Sequence, residues 1–361
     1  MSDASTIHLI DLYNEESESP LFLSGFFKTS ARNFHTTEKV EVDVIRDDED
    51  VAVAIQDLST GARLNESTVY TNKGFTPPIF DEEGVITAYN QIKRQPGVDP
   101  FQNPNFAANA VVESFRIFRR LERKIRRSIE LMASQVLQTG TLTLTDKTGA
   151  SVYTLDFKAK TSHIATASAP WAPDGTTGDP LADINALSTA IRRDGKKVPD
   201  VLVFGTTAFN AFLANPAVQK LYDLRRADRG DIIPARRGAE GATYHGTISV
   251  GHYVYELWTY DGFYRDPQTG DFVPYVTADK VIMLSSSGRL DLSFGAIPMI
   301  RPPEERAMGF LPPRISNAAG GFDLTTNAYF TPDGKHLRVG AGTRPLTIPT
   351  AIDTFGCLDV G

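Results

Sequence analysis

The spacing of apolar residues along this chain changes period several times. Residues 36–44, TTEKVEVDV, alternate polar and apolar with Val40, Val42 and Val44 on one face, the period-two signature of a half-buried strand. A second alternating run, VAVAI at 51–55, follows the acidic turn Asp47-Asp48-Glu49-Asp50. Shorter strand-like pieces at 67–73 and 84–93 flank the turn FTPPIF. Together these predict a long β excursion with little core of its own.

After the prolines at 100 and 104 the period becomes helical. Val111, Phe115, Phe118, Leu121, Ile125, Ile129, Met132 and Val136 recur at steps of three and four, on one face of a helix over 107–138. Such a helix is on the order of 45 Å long, and Gly140 is a suitable stop. A small domain needs no rod of that length, so it reads as the spine of an extended subunit.

Beyond the spine, 141–146 and 151–157 predict a hairpin, 180–193 an amphipathic helix closed by Gly195 and Pro199, and 201–205 (VLVFG) a buried strand. A helix over 207–213 precedes a basic loop, 222–241, that carries Arg225, Arg226, Arg229, Arg236 and Arg237. Strands at 244–250, 253–260, 279–285 and 290–296 complete a mixed α+β unit from about 199 to 323. From 324 to 361 a turn-marked pair, NAYFTPDGKHLRVG, and further alternating residues suggest strands returning to the first unit. The fold class is therefore α+β, and 361 residues suit two or three compact units.

Charge sharpens this picture. The net charge of −7 has the wrong sign for a protein that grips nucleic acid over its whole surface. It is also unevenly placed: the spine carries seven basic residues against three acidic, while 38–94 carries twelve acidic against six basic. One reading is a solvated helix face with i to i+4 ion pairs. The other is an interface in which the acidic turn Asp47, Asp48, Glu49 and Asp50 of one subunit lies over Arg116, Arg119, Arg120, Arg123 and Arg127 of a neighbour. Upstream, Leu21, Phe22, Phe26 and Phe27 form an apolar arm too short to fold alone, which docks either on its own core or on another subunit.

Reactive chemistry is hard to find. A single cysteine, Cys357, excludes an intrachain disulfide and any Cys-rich zinc site, and its apolar setting reads as a small buried hydrophobe. His245, His252 and Glu256 could in principle ligate a metal, but they straddle the turn at Gly251 without a recognised spacing. There is no Gly-x-Ser-x-Gly elbow, and the glycine-rich pieces at 238–241 and 340–342 lack the Lys-Ser/Thr ending of a phosphate loop. We expect no catalytic residues, no cofactor and no metal. The first residues show no signal-peptide pattern and no stretch approaches the roughly 18 apolar residues of a membrane span. A soluble, cytoplasmically made protein with no membrane partner is the expectation.

The order of parts, with Pro20-Leu21-Phe22-Leu23, Phe26-Phe27, Phe34, Thr36-Thr37-Glu38-Lys39-Val40 and Phe75-Thr76-Pro77, resembles tailed-phage major capsid proteins of the phage lambda head protein E family, with the Hong Kong 97 fold. The resemblance implies an N-terminal arm at 1–35, an extended β loop at 36–96 and a peripheral domain at 97–198 built on the spine. It also implies an axial domain at 199–323, with C-terminal strands at 324–361 rejoining the peripheral domain. Its further implications are self-assembly as hexamers and pentamers into an icosahedral virion shell in the host cytoplasm, and packaged double-stranded DNA enclosed without sequence-specific binding. A portal is an implied partner and a decoration protein a further one. No long charged segment precedes the arm, so a separate scaffolding protein is expected. The alternatives are another phage structural subunit, such as a tail tube or connector, and a hydrolase with no recognisable motif.

Overall fold

The structure, a computed structural model, describes residues 21–35, 37, 39–45, 70–87, 106–146, 148–221, 236–237, 241–297, 314–315, 322–331 and 335–361. The run at 51–55, the acidic turn at 47–50 and most of the basic loop at 222–241 lie outside them.

The spine helix α1 spans Phe106–Thr139, 34 residues, or about 51 Å at 1.5 Å per residue. Its single apolar face is buried against two different clusters. Ile117, Phe118, Leu121, Ile125 and Ile129 pack with Ile86, Leu324, Leu337, Val339 and Ala341. One turn further on, Met132, Ala133, Val136 and Leu137 join Val201, Val203, Ile282, Leu284, Leu346 and Phe355. One helix thus spans two cores, which accounts for its length. It ends at Gly140, whose φ of +67° is the left-handed cap, with its N–H bonded to Val136 O at 2.8 Å.

The first of those clusters is roofed by a four-stranded sheet in the order β15(Arg314–Ile315), β16(Phe322–Phe330), β17(His336–Thr343), β3(Phe80–Thr87). β17 runs antiparallel to β3 from His336 opposite Thr87 to Thr343 opposite Phe80. β3 can lie this close to α1 because of Gly84: a Cβ there would stand 2.3 Å from Ile117 Cγ2. β1(Val40–Ile45) and β2(Tyr70–Phe75) form a separate antiparallel pair, with Ile45 opposite Tyr70 at the end from which 46–69 departs.

The second cluster lies on one face of a seven-stranded sheet ordered β6(Ile164–Thr166), β19(Phe355–Asp359), β13(Lys280–Leu284), β7(Val201–Phe204), β10(Tyr253–Tyr260), β9(Ala242–Val250), β8(Arg236–Arg237). Its central strands are apolar on both faces, as their unbroken apolar runs predict. Val201 and Val203 face α1, while Leu202 and Phe204 face the helices α2(Pro180–Gly195) and α3(Thr206–Ala214) with Ile184, Ile191 and Phe212. Asp179 caps α2, its carboxylate accepting the Ala182 N–H at 3.1 Å.

Two shorter hairpins complete the body: β4(Thr141–Thr145) with β5(Ser151–Asp156), and β11(Phe263–Arg265) with β12(Phe272–Pro274). β14(Asp291–Phe294) pairs with β18(Pro345–Ile348). The C-terminal strands do not all go one way. β16 and β17 join β3, whereas β19 inserts between β6 and β13, because Phe355 and Cys357 point into one core and Leu358 into the other.

Candidate assembly surface

The arm comes first in the chain, and its described part is fastened to its own body. Leu23 and Phe27 are buried in the core beside Met132 and Val136. Phe22 packs half-buried on Trp258 and Tyr260, with ring centroids 5.2 and 5.3 Å away, and edge-on against Phe26 at 5.2 Å. Leu21 is also half-buried. The chain then runs beside β14, through bridges of Lys28 with Asp291 and of Phe34 with Phe294. Phe27 is therefore core rather than interface, and Leu21, Phe22 and Phe26 keep only part of their surface for a neighbour.

The hook is held by a residue that the hydrophobic pattern passes over. Glu130, fully buried on α1, accepts the Leu23 N–H at 2.7 Å on one carboxylate oxygen and the Ser24 N–H at 2.8 Å on the other. Those N–H groups open the 3-10 turn Ser24–Phe26, so Glu130 acts as its cap from 106 residues away in sequence. Burial pushes the Glu130 carboxyl above its ordinary range, opposed by these two N–H donors and the hydroxyls of Ser24 and Tyr260. A second such residue, Arg344, is 2% exposed and donates to Ala296 O at 3.1 Å and Pro77 O at 3.3 Å. It tethers the segment before β3. The available signal is one charge in the apolar run IELMA at 129–133 for Glu130, and for Arg344 one charge in the otherwise uncharged run at 339–348.

The basic face of the spine divides in two. Arg120, Arg123 and Arg127 are exposed, and Arg116, also exposed, lies 3.5 Å from Glu113. Arg119 does not join them: it is 8% exposed and lies over the Phe115 ring at 5.2 Å. It belongs to the packed side of the helix, so its expected place on an outer charged face is not kept. The i to i+4 reading holds for Arg126 and Glu122 at 3.0 Å. Lys124 reaches Glu82 of β3 at 2.6 Å, so part of the acidic excursion meets the basic spine within one chain. Asp47, Asp48, Glu49 and Asp50 lie outside the described residues.

The reactive candidates separate. His245 sits 4.4 Å from the Phe209 ring and bonds Thr259 at 2.8 Å, whereas Glu256 accepts from the Trp258 indole at 3.1 Å. Among the described residues no three His, Cys, Asp or Glu side chains gather as a metal site. Cys357 is buried, and burial pushes its thiol up to about 12. No described helix is long and apolar enough to cross a membrane.

What the described surface offers is contact area, charge and a fastened arm, the attributes of a structural subunit. The sequence matches the model of the phage major capsid protein E family over residues 13–355, and the chain belongs to that family. The architecture is the α+β fold of Hong Kong 97-type capsid proteins. A candidate prophage capsid protein from Escherichia coli CFT073 superposes with a TM-score of 0.63 at 17% identity, covering 99% of each chain. A Gordonia phage Cozz chain gives 0.48 at 10% identity, over 95% of this chain and 87% of that one. A phage-related protein of Bordetella bronchiseptica RB50 gives 0.47 at 11%, over 99% and 96%. No curated protein matches. The chain is a phage major capsid protein, a structural component of the virion shell.

Proposed function

We propose that copies of this chain assemble as hexamers and pentamers into a closed icosahedral shell around packaged double-stranded DNA, with no catalytic turnover. Assembly takes place in the host cytoplasm on a separate scaffolding protein, around a portal, and the finished shell offers sites to a decoration protein. The observation that carries this reading is the family match over 13–355, joined to a body in which one 34-residue helix bridges two cores. The net charge of −7 supports a container whose wall does not hold its DNA tightly.

Within the subunit, 1–35 serves as the arm, 36–96 as the extended loop, 97–198 as the peripheral domain, 199–323 as the axial domain and 324–361 as the returning strands, with 355–359 counted in the seven-stranded sheet. Exposed Arg116, Arg120, Arg123 and Arg127 meet a neighbour's acidic turn at 47–50. Each such pair is worth about 0–1 kcal/mol, so the contact gains strength only by repetition across the shell.

Electron microscopy of the high-molecular-weight fraction from cells expressing the chain with its scaffolding protein tests the reading. Closed icosahedral particles are expected. Tubes or rings would favour a tail or connector subunit, and small monodisperse species would end the shell reading.

A further inference from the structure

We propose that the β11–β12 hairpin, through Phe263 and Phe272, is a contact surface for a second copy of this chain. The inference rests on the shell reading and adds to it a surface that charge patterning does not reveal. The register sets Phe263 opposite Pro274 and Arg265 opposite Phe272, so both phenylalanines lie on one face of the hairpin. Tyr264, on the other face, packs into the body with its ring 5.3 Å from Tyr275. The outward rings have no such cover: Phe272 is 76% and Phe263 50% exposed.

This hairpin is held in place. Its turn is closed by Asp266 N–H to Asp271 O and Gly270 N–H to Asp266 O, both at 2.9 Å, with Gly270 at a φ of +78°. The Arg265 guanidinium folds over the turn to Gly270 O at 2.9 Å. Gln268 at the tip abuts Gly149 of the β4–β5 turn, where a Cβ would lie 2.5 Å from the amide nitrogen. That second hairpin exposes Val152 to 71%. Two braced hairpins therefore present apolar side chains outward.

Area and charge point to the occupant. A buried aromatic side chain covers about 200 Å², so the exposed parts of the two rings amount to roughly 250 Å². That is about a third of the roughly 800 Å² each partner contributes to a standard interface. Such a patch is too small to hold a stable dimer alone and suits one of several contacts around a subunit in a shell. Arg265 stands against Asp266 and Asp271, so the patch has no positive excess with which to attract DNA. In a capsid protein, the surface available in quantity to cover it is another copy.

The native thiol makes the test specific, because Cys357 is buried. In F272C the introduced thiol is the only exposed one, and a maleimide should modify it at least tenfold more slowly in assembled particles than in free subunits. In parallel, F263S/F272S should keep the circular dichroism of the wild-type subunit and sediment largely as unassembled material when co-expressed with scaffold. Equal labelling rates in the two states, or wild-type assembly by F263S/F272S, would overturn the assignment. A wild-type chain that itself yields only small species would remove the shell reading and this contact with it, whereas wild-type particles with an exposed residue 272 would remove the contact alone.

Discussion

Replacing Glu130 by alanine probes how the N-terminal hook is held. The variant strands the Leu23 and Ser24 N–H groups, which the carboxylate accepts at 2.7 and 2.8 Å. Each unsatisfied buried donor costs about 1–3 kcal/mol. The chain can escape that cost by undocking the hook, but then Leu23 and Phe27 leave the core, at about 1.5–3 kcal/mol each. The cheaper route sets the loss, and relief from burying a carboxylate reduces it, so the hook should loosen by about 3 kcal/mol. Limited trypsin digestion reads this directly at exposed Lys28, whose N–H is held by Leu290 O at 2.8 Å. Where opening precedes cleavage, 3 kcal/mol corresponds to roughly 100-fold faster cutting there. The sign of the pH effect is also fixed. Because burial raises the carboxyl above 4.5, the native state binds the proton more tightly than the unfolded chain. The stability contributed by protonation is complete below pH 4.5 and is lost as pH rises through the folded value. The stability of the wild-type chain should therefore fall relative to that of Glu130→Gln as pH rises from 4.5. A Glu130→Ala chain cut at Lys28 within threefold of the wild-type rate would refute the clamp.

Further outcomes are expected elsewhere. Reversing exposed Arg120, Arg123 and Arg127 to Glu should leave subunit melting within a few degrees of wild type while loosening assembly in a salt-dependent way, read by sedimentation at two ionic strengths; adding Arg119→Glu should lower the melting temperature, since that side chain is 8% exposed. Gly84→Ala places a Cβ 2.3 Å from Ile117 Cγ2 and should cost about 1–3 kcal/mol in denaturant unfolding; no loss would mean that β3 and α1 part readily. Cys357 should resist a thiol reagent in the folded chain at pH 8 and react once the chain is denatured, as its buried thiol, pushed up to about 12, requires; fast reaction with folded protein would contradict its burial.

Most of the element list was legible along the chain because local periodicity reports burial. The spine, expected over 107–138, occupies Phe106–Thr139, and the strand expected over 253–260 is Tyr253–Tyr260. Cys357 likewise proves to be a small buried side chain. Boundaries shifted where a glycine or an acidic pair masked the period: β3 begins at Phe80, ahead of the 84 expected, its exposed Asp81 and Glu83 being the outward half of an edge strand.

Apolar spacing along the chain sets the repeating geometry of each segment, and the order of the segments ties the chain to its family, because both can be read from residues close together in sequence. Long-range pairing depends on which surfaces meet, and that becomes visible only once the chain is folded. Arg119, one turn from Arg123 on a predominantly basic helix, faces Phe115 rather than solvent because α1 is packed on that side. β19 joins the seven-stranded sheet because it has apolar residues for both cores. Glu130 and the hook it holds are 106 residues apart, and two N–H groups seeking an acceptor leave no mark in a pattern of hydrophobic positions.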